Sequence, residues 1–137
     1  MKILYLLLTY LLSYNSFAIN DNIYNIENNK VNILIAKKKE NKLKLGLEFI
    51  LDEGWKIYWK HPGDVGLPAS LTLLDNGKDK DIKMDWPFPE ELYEKDVNLT
   101  SRIYTKHVIL PFSININDVK KIKNNNIKFF LEFQICK

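Results

Sequence analysis

One residue in this sequence has a side chain suited to reversible covalent chemistry: Cys136, next to the last residue. A thiolate attacks a disulfide sulfur to give a mixed disulfide, which a second thiol then resolves. With a single cysteine the sequence can form a mixed disulfide, a glutathione adduct or a linked dimer, but no intramolecular disulfide. Ile127, Phe129, Leu131, Phe133 and Ile135 alternate as in a strand, and Cys136 falls on the opposite phase. It would share its face with Lys128, Glu132 and Gln134, where a thiol meets solvent or a partner protein. The competing reading is a cysteine used as a small core hydrophobe. The residues alone leave both open.

The other reactive side chains form no recognisable constellation. His61 and His107 are the only histidines and lie in different segments without a cysteine or carboxylate at metal-ligand spacing, so no metal site is expected. No nucleophile elbow and no glycine-rich phosphate loop occurs, so neither hydrolase chemistry nor a cofactor is expected. Glu90-Glu91, ahead of Leu92-Tyr93, is either a solvated loop or a charged neighbour that tunes a thiol. Trp55, Trp59 and Trp86 read as core rather than as a ligand platform. Asn98-Leu99-Thr100 matches a glycosylation acceptor, a short and common pattern.

Charge excludes one class of partner. Twenty basic and 17 acidic residues leave a formal net charge of +3, and the main basic run, Lys37-Lys38-Lys39, is followed at once by Glu40. A nucleic-acid surface needs its cations gathered on one face, so none is expected.

The first 18 residues read as a secretory signal: Lys2, an apolar stretch from Ile3 to Leu12, and Ser16-Phe17-Ala18 before a cut. The alternative is an uncleaved anchor, although the apolar run falls short of the about 20 residues that a spanning helix needs. Export would place the remainder, residues 19–137, in an oxidising compartment, where a lone cysteine is the exception to explain. At this length the remainder is one domain.

The elements that must position Cys136 are strands. Val31, Ile33 and Ile35 alternate with polar residues, as do Leu43, Leu45, Leu47, Phe49 and Leu51, which predicts a hairpin turning through Lys37 to Asn41. Trp55, Ile57 and Trp59 predict a strand that stops at His61-Pro62-Gly63-Asp64. Leu71 to Leu74, then Ile82, Met84 and Trp86, read as short strands around Asp75-Asn76-Gly77. Val108 to Ile116 and Ile127 to Ile135 read as long ones, with a helical turn at Asn117 to Lys123 between them. About seven or eight strands with polar turns predict an all-β sandwich.

Three stretches carry a family resemblance. Gly54-Trp55-Lys56-Ile57-Tyr58-Trp59-Lys60-His61-Pro62-Gly63-Asp64-Val65-Gly66-Leu67-Pro68 resembles the GWxxYWxNPGDxGLP stretch of the N-terminal periplasmic domain of DsbD/ScsB-type thiol:disulfide interchange proteins. His61 stands where asparagine is common. Trp86-Pro87-Phe88-Pro89, followed by Tyr104 and Val108-Ile109-Leu110-Pro111, resembles that domain's second conserved region. Ile135-Cys136-Lys137 resembles the start of its C-x3-C-x-P motif. The resemblance implies an immunoglobulin-like sandwich that passes reducing equivalents from a membrane-embedded partner domain to periplasmic thiol proteins. The resemblance also implies a periplasmic location, with Cys136 as the first active-site cysteine and a loop around Leu92-Tyr93-Glu94-Lys95, its candidate residues Glu91, Leu92 and Tyr93, that covers the site until a partner docks. The second cysteine, its following proline, and the transmembrane and thioredoxin-like regions have no counterpart here. The expectation is therefore an incomplete relay domain, with a non-catalytic immunoglobulin-like binding module or a non-functional gene remnant as the alternatives.

Overall fold

The structure, a computed structural model, describes residues 24–75, 77–120 and 127–137. The expected signal segment and parts of two expected turns, at Asn76 and beyond Lys120, lie outside these residues. The described chain is nearly all strand: β1 (Tyr24–Ile26), β2 (Asn29–Lys39), β3 (Lys42–Ile50), β4 (Lys56–Gly63), β5 (Ser70–Leu74), β6 (Lys80–Asp81), β7 (Glu90–Glu94), β8 (Leu99–Thr105), β9 (His107–Asn115), β10 (Lys128–Glu132) and β11 (Ile135–Cys136). The one helix, α1 (Ile116–Lys120), is a single turn with Asp118 at its start, where an acidic side chain suits the helix dipole.

The strands form three antiparallel sheets, ordered β1-β2-β3-β9, β10-β5-β6 and β11-β4-β8-β7. The first packs against the other two. Its inward residues Val31, Leu45, Leu47, Phe49, Val108, Leu110, Phe112 and Ile114 are all buried, and they meet Ile57, Leu71 and Tyr104 from across the sandwich. Two edge-to-face aromatic pairs close the core: Phe49 with Phe133 at 5.2 Å between ring centroids, and Phe112 with Phe129 at 5.7 Å. This architecture is the all-β sandwich expected from the alternation, in the immunoglobulin-like form that the resemblance implies.

Several elements differ from the sequence reading. The first hairpin turns on Glu40 and Asn41 alone, with Lys39 opposite Lys42, so its strands run further than expected. β4 continues through His61-Pro62-Gly63, where a turn was expected. Ile82 to Trp86 contributes only a bridge between Met84 and Phe112. β7 and β8 were not anticipated. Ser101, Ile103 and Tyr104 are all buried, so β8 is covered on both faces and shows no polar–apolar alternation. The final strand is broken: β10 pairs with β5, whereas β11 pairs with β4 in another sheet.

Polar ties fix the connections. Asn29, 1% exposed, donates through Nδ2 to the Ile26 carbonyl at 3.2 Å and accepts the Asp52 amide proton at 2.8 Å, joining the β1–β2 turn to the β3–β4 connection. The Tyr104 hydroxyl donates to the Pro87 carbonyl at 2.5 Å, and burial pushes its pKa up to about 12.

On the outer face of the first sheet Glu48 accepts from Asn32 Nδ2 at 2.8 Å and lies 2.8 Å from His107 Nε2. The Asn32 hydrogen bond, then that of His107, hold the Glu48 carboxyl below its usual range against the opposing effect of burial. A pKa lowered in the folded state contributes stability above the ordinary carboxylate value, and that stability is lost as pH falls through the lowered one. Glu48→Gln is therefore expected to be less stable than wild type at neutral pH. Urea midpoints measured down the pH scale should converge once Glu48 is protonated in both states.

Candidate functional site

The thiol reaches its position through the crossover after β10. Ile135 pairs with the buried Ile57, which turns its side chain to the core, and Cys136 pairs with Lys56 on the other face. The phase expected from sequence therefore holds, and the thiol is half-buried rather than sealed in packing. Its Sγ lies 3.7 Å from the carbonyl oxygen of Lys137.

Directly opposed residues in a ladder share a face, so the register places Cys136, Lys56, Thr105, Tyr58 and Ile103 on one side of this sheet. Tyr58 and Ile103 are buried there, which shows that the outward face carries a second layer of its own. The Gly63–Pro68 segment supplies the cover. Pro68 bridges to Tyr58, and a Cβ on Gly66 would fall 2.2 Å from the Tyr58 ring, so only glycine lets the backbone lie this close. Asp64 pins the loop to β8, its amide donating to the Thr100 carbonyl at 2.9 Å and its carboxylate accepting the Thr100 amide proton at 2.8 Å. Leu67, 68% exposed, donates its amide proton to Gln134 Oε1 at 2.8 Å, which sets an apolar side chain close to the thiol strand.

Tyr58 is the thiol's closest chemical neighbour. Burial pushes its phenol pKa up, and the hydrogen bond with Cys136 and the negative charges available on Cys136 and Glu94 add to that. A phenol kept protonated stays available as a donor to sulfur. Lys56 lies beside it, with Nζ 3.9 Å from Glu94 Oε1. In a flat sheet that contact is impossible. Lys56 opposes Thr105 and Glu94 opposes Leu99, an offset of about 20 Å along the strand at about 3.3 Å per residue. The sheet must therefore curl toward the Cys136 side, helped by the irregularity in β4 between Tyr58 and Gly63. The thiol sits on the concave face.

The residues expected in a covering loop are in strand β7. Glu91 forms an ion pair with Arg102 at 3.9 Å, and the Tyr93 hydroxyl donates to Asn98 Oδ1 at 2.9 Å. By register both sit on the face away from Cys136, whereas Leu92 sits on the same face as the thiol. The β7 residue that reaches the thiol's neighbours is Glu94. The histidines stay apart, His61 edge-on to Trp59 at 5.5 Å and His107 on Glu48. Trp55, Trp59 and Trp86 pack against the core, as expected. Sequence reading missed Tyr58 and Lys56 as neighbours of the thiol, whereas Gln134 was expected on its face and Glu94 in the covering segment. For Tyr58 a signal existed, since it holds the even phase of β4 just as Cys136 holds the even phase of its own run.

Comparison with known proteins places this arrangement in context. A family profile described as the N-terminal region of the thiol:disulfide interchange protein DsbD matches residues 26–137. Among solved structures, the N-terminal periplasmic domain of ScsB from Proteus mirabilis superposes with a TM-score of 0.66 at 21% identity, over 85% of this chain and 44% of that one. The likeness establishes the fold, and the chain spans under half of the ScsB structure. No curated protein sequence matches. The profile covers the whole described sandwich, including the strand that carries the thiol, and the chain belongs to the family of DsbD N-terminal domains.

Proposed function

We propose that the chain is a periplasmic thiol:disulfide exchange domain in which Cys136 is the thiol that engages partner proteins. The observation that carries this reading is the setting of Cys136: half-buried, directly opposite Lys56 in the ladder and on the same face of the sheet as the buried Tyr58. The exposed Leu67 gives a docking partner an apolar contact beside it.

In the exchange step the Cys136 thiolate attacks one sulfur of a partner disulfide. A new S–S bond joins the two chains, the partner's S–S bond breaks, and its other sulfur leaves as thiolate. A further thiol then attacks the mixed disulfide and frees one chain. Family membership supports thiol and disulfide proteins as partners, with the reducing equivalents drawn from a membrane-embedded donor domain. One thiol suffices for the first step, and a second thiol is required to resolve the mixed disulfide.

The test is incubation of the chain with a disulfide-linked peptide, followed by intact mass with and without reductant. The expected product is a reductant-labile adduct of one peptide half per chain, with release of the other half as a free thiol. Cys136→Ser should give none. Failure of the wild-type chain to form the adduct while it melts cooperatively would leave a binding module as the better reading.

A further inference from the structure

The sequence suggests that basic residues are diluted by acidic ones, but the first hairpin gathers four of them. Lys37 lies directly opposite Lys44, and Lys39 directly opposite Lys42. Opposed residues share a face, as do residues two apart on a strand, so the four ammonium groups rise from one surface at the corners of a rectangle of roughly 5 by 7 Å at Cβ level. All four are exposed. Among the described residues the ion pairs are Lys56–Glu94, Lys80–Asp118, Arg102–Glu91 and His107–Glu48, and none involves these lysines. The next acidic side chain on this face of β3, Glu48, is engaged by Asn32 and His107.

Like charges set directly opposite one another destabilise a ladder. Edge protection accounts for Lys37 and Lys39, because β2 beyond Val31 pairs on one side only among the described residues. It does not account for Lys42 and Lys44, because β3 is an interior strand between β2 and β9. Register gives the same face an apolar share as well: Leu34 and Pro111 both oppose Gly46, and both are exposed.

We infer that this face, built on Lys37, Lys39, Lys42 and Lys44 with Leu34 and Pro111 beside them, is a docking surface for an anionic lipid bilayer. The complementarity favours a bilayer over a structured protein or nucleic-acid ligand. The cations are all lysines, flexible point charges that suit a diffuse layer of headgroup phosphates, where a planar fork suits one fixed anion. They rise from one face of the hairpin, and the aliphatic groups beside them can enter the headgroup boundary. The surface is remote from the thiol. It occupies the start of β3, whereas Cys136 lies level with the far end of that strand, roughly 20 Å or more along the sandwich at about 3.3 Å per residue. A domain docked this way keeps its concave face clear of the membrane, and the inference stands whether or not Cys136 exchanges disulfides.

Flotation of the full chain with vesicles tests it, comparing pure phosphatidylcholine with phosphatidylcholine containing about one-third phosphatidylglycerol. Near-surface lysines contribute about fivefold each to partition onto anionic lipid. Replacing all four by Gln should therefore weaken anionic-vesicle binding on the order of a hundredfold or more, and Lys42→Gln with Lys44→Gln by about twentyfold. Any contribution from the N-terminal apolar segment is shared by every variant and also appears on neutral vesicles. Gln at Lys78, Lys83, Lys95 and Lys128, exposed elsewhere, removes the same net charge and should leave most of the binding intact. Binding should vanish in about 1 M salt, where the screening length falls to about 3 Å. Three results would overturn the inference: equal binding to neutral and anionic vesicles, equal binding by the hairpin variant and wild type, or equal losses in the two quadruple variants. So would capture of the patch by polyglutamate but not by vesicles.

Discussion

Replacing Gly66 by alanine is expected to destabilise the domain by about 3 kcal/mol or more, a large share of the 5–15 kcal/mol typical of such domains. Two costs add. Gly66 has φ +107°, a conformation that L residues avoid. The added methyl carbon would also lie 2.2 Å from a ring carbon of Tyr58. Tyr58 is 4% exposed, so its ring has no open space to swing into. Gly77 is the control, with φ +88° and open space around its hypothetical Cβ. Gly77→Ala should show only the backbone cost, about 1–2 kcal/mol. Urea unfolding of both variants separates strain from collision: similar midpoints would mean that the Tyr58 contact adds nothing. Gly66→Ala should also speed modification of Cys136 by a bulky thiol reagent, because the Gly63–Pro68 cover and Tyr58 lie on the thiol's face of the sheet.

Phe49→Ala should cost about 3–5 kcal/mol through lost burial and the cavity left behind. Phe49 is wholly buried and stands edge-on to Phe133, the residue that begins the crossover from β10 to β11. The loss should therefore be felt at the thiol strand as well as in the core. Urea denaturation reads the first effect, and thiol-reagent kinetics in native buffer read the second. A stability loss of this size with unchanged Cys136 reactivity would show that Phe49 supports only the core.

Local pattern made the framework legible. β2, β3, β9 and β10 each bury one face, and that asymmetry appears in sequence as alternation. β8 was invisible for the converse reason, since Ser101, Ile103 and Tyr104 are buried on both faces. β7 is short and polar, and strand pairing rather than composition decides its state. At the site the phase of Cys136 could be read one strand at a time. Its cross-strand neighbours could not: Lys56 and Tyr58 come to its face through sheet register, which no window of sequence contains. The basic face shows the same limit, because Glu40 adjoins the lysines in sequence yet the turn at Glu40 and Asn41 leaves Lys39 facing Lys42.

β11 pairs at only two positions, Ile135 and Cys136, and forms one edge of its sheet. Its amide protection is therefore governed by fraying rather than by the cooperative unfolding that limits β3 and β9. In native-state exchange such a strand opens with almost no dependence on denaturant, because little surface is exposed when it leaves. The exchange proposed for Cys136 would then proceed on the timescale of local opening, far faster than global unfolding.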